Sequence, residues 1–339
     1  MTSVMTPPMP PVTATPFVTV TDLHVGFPLS QGMFGGSRGL VRAVDGVSFT
    51  VPRGETLALV GESGCGKTTT ARALLRLIPV TSGSVSFDGT DVLALRPEPL
   101  RKLRRRMQLV FQDPYSSLNP RRTVGDAIRE GLLIHELAAG READDRVIEA
   151  LGEVGLRPEF AQRYPYELSG GQRQRVGIAR ALAVGPDFIV CDEPVSALDV
   201  SVQAQIINLL QDLQRDHALT YLYIAHDLAV VAQVATRIAV MYFGRIVELG
   251  PAAAVFEDTR MPYTRALLAS ALTPDPATHR SHQVLPGESP SPAAPPSGCP
   301  FHPRCPDPRK DAACTTSVPA LEEKSPGHFA ACIKEPIRE

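Results

Sequence analysis

The sequence predicts an α/β fold built around a phosphate-binding loop, on three observations. Gly61–Thr68 reads Gly-Glu-Ser-Gly-Cys-Gly-Lys-Thr and fits G-x-x-x-x-G-K-[ST], between the apolar run Thr56–Val60 and the helically spaced Thr69–Leu77. Further apolar runs of strand length stand at Met107–Phe111, Phe188–Cys191 and Thr220–Ala225, with segments of helical periodicity among them. Two of these runs deliver polar pairs at their C-terminal ends, Asp192-Glu193 and His226-Asp227. In a parallel α/β sheet that is the edge where ligands bind.

Each part of the loop has a physical use. Gly61, Gly64 and Gly66 let the backbone pass close to phosphates in conformations that a β-carbon disfavours. Consecutive N–H groups, through Ser63, Cys65 and the opening residues of the helix, then face the anion. Lys67 can reach the β- and γ-phosphates, and Thr68, followed by Thr69, offers a hydroxyl to Mg²⁺. A plain glycine turn before a core helix is the alternative. Four constrained positions arise by chance in only roughly one protein in a hundred, so nucleotide binding is the working expectation.

Composition bounds the rest. A chain of 339 residues allows two or three domains and a large core. Its 34 basic and 36 acidic residues leave a net charge of −2, which points neither to nucleic acid nor to an anionic membrane surface. No apolar run reaches the roughly 18 residues of a membrane span. Met1–Pro16 is rich in Pro and Thr, lacks the pattern of a secretory signal, and reads as a disordered tail. A cytoplasmic chain is expected.

Taken in order, Phe17–Val25 alternates weakly and reads as a strand, Ser30–Gly39 as a Gly-rich loop, and Arg42–Val51 as a second strand. Pro52-Arg53-Gly54 turns into the loop strand, and Gly83–Gly89 adds a short strand closed by Asp-Gly. These strands form an antiparallel annex. Glu98–Arg106 is strongly basic; without interleaved aromatics it is better read as a solvated helix face than as a nucleic-acid patch. Thr123–Tyr166 has helical periodicity and no convincing strand, so a helical insertion is expected. Leu168-Ser169-Gly170-Gly171-Gln172 leads into the helical pattern Arg173–Ala183, with Ser169 a credible N-cap. Ser196-Ala197-Leu198-Asp199 then precedes an amphipathic helix, Val202–Asp216.

These pieces in this order resemble the ATP-binding cassette (ABC) family, over Phe17 to about Tyr263. The matching motifs are the Walker A loop Gly61–Thr68, a Q-loop Gln112, the signature Leu168–Gln172, a Walker B strand ending at Asp192-Glu193, a D-loop Ser196–Asp199 and an H-loop His226. Phe111–Arg121, Tyr164–Glu167, Asp192–Asp199 and Pro262–Leu267, with the cysteine tail, are further similar to oligopeptide/dipeptide and nickel importer ATPases. The loop between Phe27 and Arg42 is most like that of the second ATPase subunit of such importers. The resemblance implies a RecA-like cassette over 17–262 with a helical subdomain at about 113–175, and a peptide-importer extension over 263–339.

It also implies a mechanism. Lys67 and the loop amides would hold the phosphates of ATP, and Thr68, Gln112 and Asp192 would serve Mg²⁺. Glu193 would polarise the attacking water, His226 would contact the γ-phosphate, and Phe27 would stack on adenine. Ser169, Gly170, Gly171 and Gln172 would complete the site of a second cassette, identical or paralogous, with Asp199 linking the two sites. The implied partners are that cassette, two transmembrane permease subunits and an extracytoplasmic peptide-binding protein, at the cytoplasmic face of the membrane and without nucleic acid. A soluble ABC-type ATPase acting on nucleic acid or ribosomes is the alternative; the single cassette, balanced charge and lack of heptads weigh against it. Intact Glu193 and His226 weigh against a non-catalytic regulator.

Cys299, Cys305, Cys314 and Cys332 crowd the tail beyond a Pro-rich stretch, Leu285–Ser297. A cytoplasmic compartment disfavours disulfides. Zinc is open, although paired C-x₂₋₄-C spacing is missing. Four thiolates equally suit a [4Fe–4S] cluster, which the resemblance to peptide-importer ATPases implies, and a tail without metal is the third reading. His302 and His328 are read as bystanders.

Overall fold

Long alternating strands, one buried parallel run and a cluster of amphipathic helices divide the molecule into two units. The computed structural model describes residues 16–28, 40–113, 115, 117–270, 290–291 and 293–334. The expected N-terminal tail (but for Pro16), the loop Ser30–Gly39 and part of the Pro-rich stretch lie outside these residues. One unit comprises Met1–Pro52, Leu57–Leu93 and Ala225–Glu339; the other comprises Arg53–Thr56 and Ala94–Ile224.

In the first unit, β1 (Pro16–Pro28) and β2 (Leu40–Pro52) pair antiparallel. β3 (Thr56–Val60) leads to α1 (Lys67–Leu74), and β4 (Ser82–Phe87) and β5 (Thr90–Asp91) follow. The antiparallel sheet has the order β2-β1-β4-β5. Phe17, Val18, Val20, Leu23, Val47, Phe49 and Val85 of this sheet are buried. The weak alternation of β1 has a cause: its pairing shifts register between Val20 and Leu23, where Asp22 adopts φ 47°. A bulge inserts a residue and moves later side chains to the other face.

The second unit begins with α2 (Pro97–Arg106) and β6 (Met107–Val110). Next come α3 (Val124–Ile134), α4 (Gly140–Glu153) and α5 (Gly170–Leu182), with two short 3₁₀ turns between α4 and α5. β7 (Phe188–Asp192), α6 (Val200–His217) and β8 (Thr220–Ala225) complete it. β6, β7 and β8 are parallel neighbours with β7 central. Every residue of β7 is buried, which is why it reads as an unbroken apolar run up to Asp192. Ile128, Leu132, Val147, Leu151 and Phe160 form the core of the helical insertion.

The basic helix α2 is not simply solvated. Arg105 Nε donates to the Val184 carbonyl at 3.0 Å, Arg106 pairs with Asp187, and Arg101 holds Glu98 at 2.9 and 3.1 Å. Its guanidinium groups therefore tie the helix to its neighbours, a use of arginine that a count of charges does not reveal.

The chain then returns to the first unit through α7 (Leu228–Val234), β9 (Arg237–Tyr242) and β10 (Arg245–Pro251). α8 (Ala252–Glu257), α9 (Pro262–Ser270), α10 (Ala312–Thr316), β11 (Glu322–Ser325) and β12 (His328–Ala330) follow. β9 lies parallel to β3, and the strands of this unit run β11-β12-β10-β9-β3. Phe243 and Gly244, both at positive φ (49° and 79°), turn β9 into β10. The tail is thus not an appendage. β12 extends the sheet of the phosphate-loop strand through β10, and its His328 is buried with Nε2 2.8 Å from Glu248 Oε1. The fold is α/β with an antiparallel annex, a helical subdomain and a cysteine-bearing extension.

Candidate nucleotide site and cysteine cavity

The phosphate loop begins where buried β3 ends, and its glycines are there because backbone presses on backbone. A β-carbon on Gly61 (φ 154°) would lie 2.1 Å from the Met241 carbonyl oxygen, and one on Gly66 (φ 109°) 2.3 Å from that of Ala43. Neither contact can be relieved by turning a side chain. Gly66 caps α1, and Thr70 N donates to its carbonyl at 2.9 Å. Lys67 is buried and curls back over the loop, its Nζ donating to the carbonyls of Gly61 at 2.7 Å and Glu62 at 3.0 Å. Thr68 and Thr69 follow on the first turn. Burial pushes the Cys65 thiol up, with Lys67 opposing the shift. Phe27 stands at the exposed end of β1, opposite Val41. His226, also exposed, directly precedes Asp227, whose carboxylate caps α7 through Ala229 N at 2.8 Å.

The second unit holds the other candidates. Asp192 is buried at the end of β7. Glu193 follows at φ 46°, a left-handed conformation that costs a non-glycine residue on the order of 1–3 kcal/mol. Its N–H donates to the Ile224 carbonyl at 3.1 Å, and its Oε2 accepts from Gln112 Nε2 at 2.8 Å. Two side chains that stand 81 positions apart thus meet directly. Ser169 caps α5 in a reciprocal box: its Oγ accepts from Gln172 N at 3.3 Å, and Gln172 Oε1 accepts from Ser169 N at 3.0 Å. The helix therefore starts at Gly170, three residues before its expected opening, because the glycines are its first turn. A β-carbon on Gly171 would stand 2.5 Å from Val202 Cγ1, so this glycine lets α5 approach α6. Asp199 caps α6 with its carbonyl, which accepts from the N–H groups of Val202 and Gln203.

Sequence reasoning passed over Arg173 and Arg180. The Arg173 guanidinium lies 3.6 Å from the Tyr115 ring centroid and its Nε donates to the Pro165 carbonyl at 2.5 Å. Arg180 donates to the Ser117 carbonyl at 2.6 Å and lies 5.6 Å from the Phe111 ring centroid. Both are on α5, so the helix behind the signature holds the segment that follows Gln112. Only the i, i+7 spacing of two arginines on one helix hinted at a shared face.

In the first unit Cys299, Cys305, Cys314 and Cys332 line one cavity with Phe301 and His302. All four thiols are free of disulfides, and Cys299 N donates to the Cys314 carbonyl at 2.9 Å. Burial pushes the Cys299 thiol up to about 11 and raises Cys305 and Cys332 as well. Among the described residues, no three or more His, Cys, Asp or Glu are grouped so as to hold a single metal ion. His302 lines the cavity, with Nδ1 2.9 Å from the Cys299 carbonyl oxygen, whereas His328 is engaged by Glu248.

Residues 44–196 match the family described as "ABC transporter", and residues 247–314 match "Oligopeptide/dipeptide transporter, C-terminal region". The chain is 54% identical over 313 residues to a probable peptide ABC transporter ATP-binding protein of Sinorhizobium fredii, covering 92% of this chain and 88% of that protein. It is 49% identical over 318 residues to the oligopeptide transport ATP-binding protein AppF of Bacillus subtilis, covering 92% and 95%. Among solved structures, a dimeric post-hydrolysis state of the ATP-binding cassette MJ0796 bound to ADP and Pi aligns with TM-score 0.61 at 30% identity, over 69% of this chain and 98% of that one. The structure of cbiO1 from Clostridium perfringens, part of the complex cbiONQ, aligns with TM-score 0.61 at 27% identity, over 72% and 91%.

Proposed function

The chain belongs to the ATP-binding cassette ATPases of the oligopeptide/dipeptide transporter group, and from this premise we propose that it binds and hydrolyses ATP to power the import of di- and oligopeptides. Its partners in this reading are a second cassette, two transmembrane permease subunits and an extracytoplasmic peptide-binding protein. Among the described residues no helix is long and apolar enough to cross a membrane. In this reading the permeases supply the path, and this chain works peripherally at the cytoplasmic face.

The single observation that carries the catalytic assignment is Glu193, strained at φ 46° with its carboxylate on Gln112 Nε2 at 2.8 Å. A positive φ also occurs at bulge and turn residues such as Asp22 and Phe243, so it is the direct contact of the Glu193 carboxylate with Gln112 that singles this residue out. Glu193 orients and deprotonates the attacking water, and Gln112 steadies its carboxylate. Lys67 and the loop amides, from Ser63 through Thr69, hold the phosphates and neutralise charge that grows on them. His226 contacts the γ-phosphate and Phe27 stacks on adenine. Thr68, Asp192 and Gln112 present a hydroxyl, a carboxylate and an amide oxygen, the hard donors that suit Mg²⁺. With its Nε2 spent on Glu193, Gln112 has its amide oxygen as the metal donor. Mg²⁺, when bound, screens the β- and γ-phosphates. Ser169–Gln172 and Asp199 serve the partner cassette's nucleotide.

For the tail the proposal is a [4Fe–4S] cluster held by Cys299, Cys305, Cys314 and Cys332. It is supported by four free thiols on one cavity. Bound metal would staple the tail. A brown anaerobic preparation with iron and sulfide in equal amounts supports the assignment; a colourless protein with stoichiometric zinc removes it.

The functional test is the intact complex in proteoliposomes. ATP-dependent peptide uptake that is lost with Glu193→Gln is the expected result. ATP hydrolysis stimulated by DNA or ribosomes, with no peptide uptake, overturns it.

A further inference from the structure

We propose that Arg304, in the cysteine tail, is a positioning residue for the phosphate loop, acting through Glu62. This rests on the reading of Gly61–Thr68 as the ATP phosphate site. Glu62 is the second residue of that loop, and three of its groups are held. Its carboxylate takes a two-pronged grip from Arg304, Nη1 at 2.8 Å and Nη2 at 3.0 Å. Its N–H donates to Tyr263 Oη at 2.9 Å. Its carbonyl accepts from Lys67 Nζ at 3.0 Å and from Cys65 N at 3.3 Å. The first two partners come from the C-terminal extension; the last two belong to the loop itself.

The extension is built to present that guanidinium. Arg304 ends a one-turn 3₁₀ helix, His302–Arg304, between buried Phe301 and the cavity residue Cys305. The Phe301 ring packs on Tyr242 and Tyr263, with centroids 5.3 Å from each. The Arg304 side chain is only 8% exposed, against 27% for Glu62. The hydrogen bonds that Arg304 donates to the Glu62 carboxylate hold the guanidinium firmly charged.

Two physical consequences follow. The grip fixes the loop before nucleotide arrives, so less ordering cost falls on binding. It also neutralises a carboxylate that stands inside an anion-binding loop, where an unpaired negative charge would repel phosphate. The second effect makes the proposal distinguishable from simple docking of the tail. Removing the arginine alone strands the charge, whereas removing both charges does not.

The test measures Mg-ATP affinity and steady-state hydrolysis on the full chain, with thermal melting alongside. Arg304→Met should raise Kd and KM for ATP about tenfold while kcat stays within about twofold. Glu62→Gln should have a smaller effect. The double variant Glu62→Gln/Arg304→Met should return to within about threefold of wild type, a coupling that independent sites do not show. Arg304→Lys, which keeps the charge and loses the fork, should fall between. A KM for Arg304→Met within twofold of wild type overturns the proposal, as does a double variant no better than Arg304→Met. If Arg304→Met gives no cooperative melt, the order wild type, double variant, Arg304→Lys in KM decides. Lys67→Ala is the control for the underlying site: loss of ATP binding there with an unmoved Arg304 series overturns only the positioning role. Equal ATP affinity of wild type and Lys67→Ala overturns both.

Discussion

At the scale of single residues, Glu193 separates binding from turnover. Glu193→Gln keeps an oxygen that can accept from Gln112 Nε2, so the local arrangement survives while the proton acceptor is gone. Hydrolysis should fall by about 10²-fold or more with ATP affinity unchanged, in the range expected for loss of a general base. Wild-type rates in this variant would remove Glu193 from the reaction. Glu193→Ala loses the contact as well and should also loosen the segment after Gln112, seen as faster amide exchange over Asp113–Arg122. The tail thiols make a pH prediction. Burial raises the Cys299 thiol from its ordinary 9.0 to about 11, so in the metal-free protein the folded state holds its proton where an unfolded chain would release it. The unfolded state then binds fewer protons than the native state between those two values, and stability falls as pH rises through that window. Alkylation of Cys299 by iodoacetamide should be slow near neutral pH and accelerate toward pH 11, and the denaturation midpoint of the metal-free protein should fall over the same range. Fast labelling at pH 7 in a folded, metal-free protein would contradict this burial.

At the scale of elements, the packing of α5 on α6 has a measurable cost. Gly171→Ala puts a methyl 2.5 Å from Val202 Cγ1, and overpacking of this kind costs about 1–3 kcal/mol. The intrinsic helix preference of Ala over Gly returns only about 1 kcal/mol, so the single variant should be destabilised. Val202→Ala removes the obstructing methyl, and the double variant should melt at or above the temperature of Val202→Ala alone. ATP hydrolysis by the assembled transporter should stay low in that double variant if, as proposed, Gly171 also approaches the partner cassette's nucleotide. Restored hydrolysis would make Gly171 purely a packing residue. The elements themselves were unevenly legible. β3, β7 and β8 could be read because strands buried on both faces show as unbroken apolar runs that end in polar residues. The loop and the signature were legible because glycine and capping rules act over three or four residues. β10, β11 and β12 were not, since they are defined by pairing with distant strands; Glu323 and Lys324 in β11 look like surface loop until β12 is placed beside them. The same distance hid the Gln112–Glu193, Arg173–Tyr115 and Arg304–Glu62 contacts. Each depends on tertiary structure rather than on any local pattern.

At the scale of the whole molecule, the two signature glycines need a nucleotide to act on, and the proposed sandwich supplies it from a second cassette. ATP bound between two cassettes contributes its binding free energy to their association, and hydrolysis withdraws it. The dimer should therefore depend on nucleotide and be long-lived only when Glu193 is disabled. The Ser63→Cys/Ser169→Cys pair in the Glu193→Gln background tests this directly; Cys65 and Cys191 stay in place because both are buried, and the same protein without the introduced pair measures any crosslinking through the free tail thiols. Incubated with Mg-ATP and a short thiol crosslinker, the variant with the pair should shift to a covalent dimer, alone or with its paralogous subunit if the natural pair is mixed. ADP, or the wild-type glutamate during turnover, should reduce the yield toward background. Restoring Ser63 while keeping the cysteine at 169 should abolish the product, which separates a specific approach from collision. If the native complex with ATP gives no product across cassettes, Ser169 does not face a partner's phosphate loop. The glycines of α5 would then serve only the close packing on Val202, and the energy of ATP would have to reach the permeases without closing two cassettes on each other.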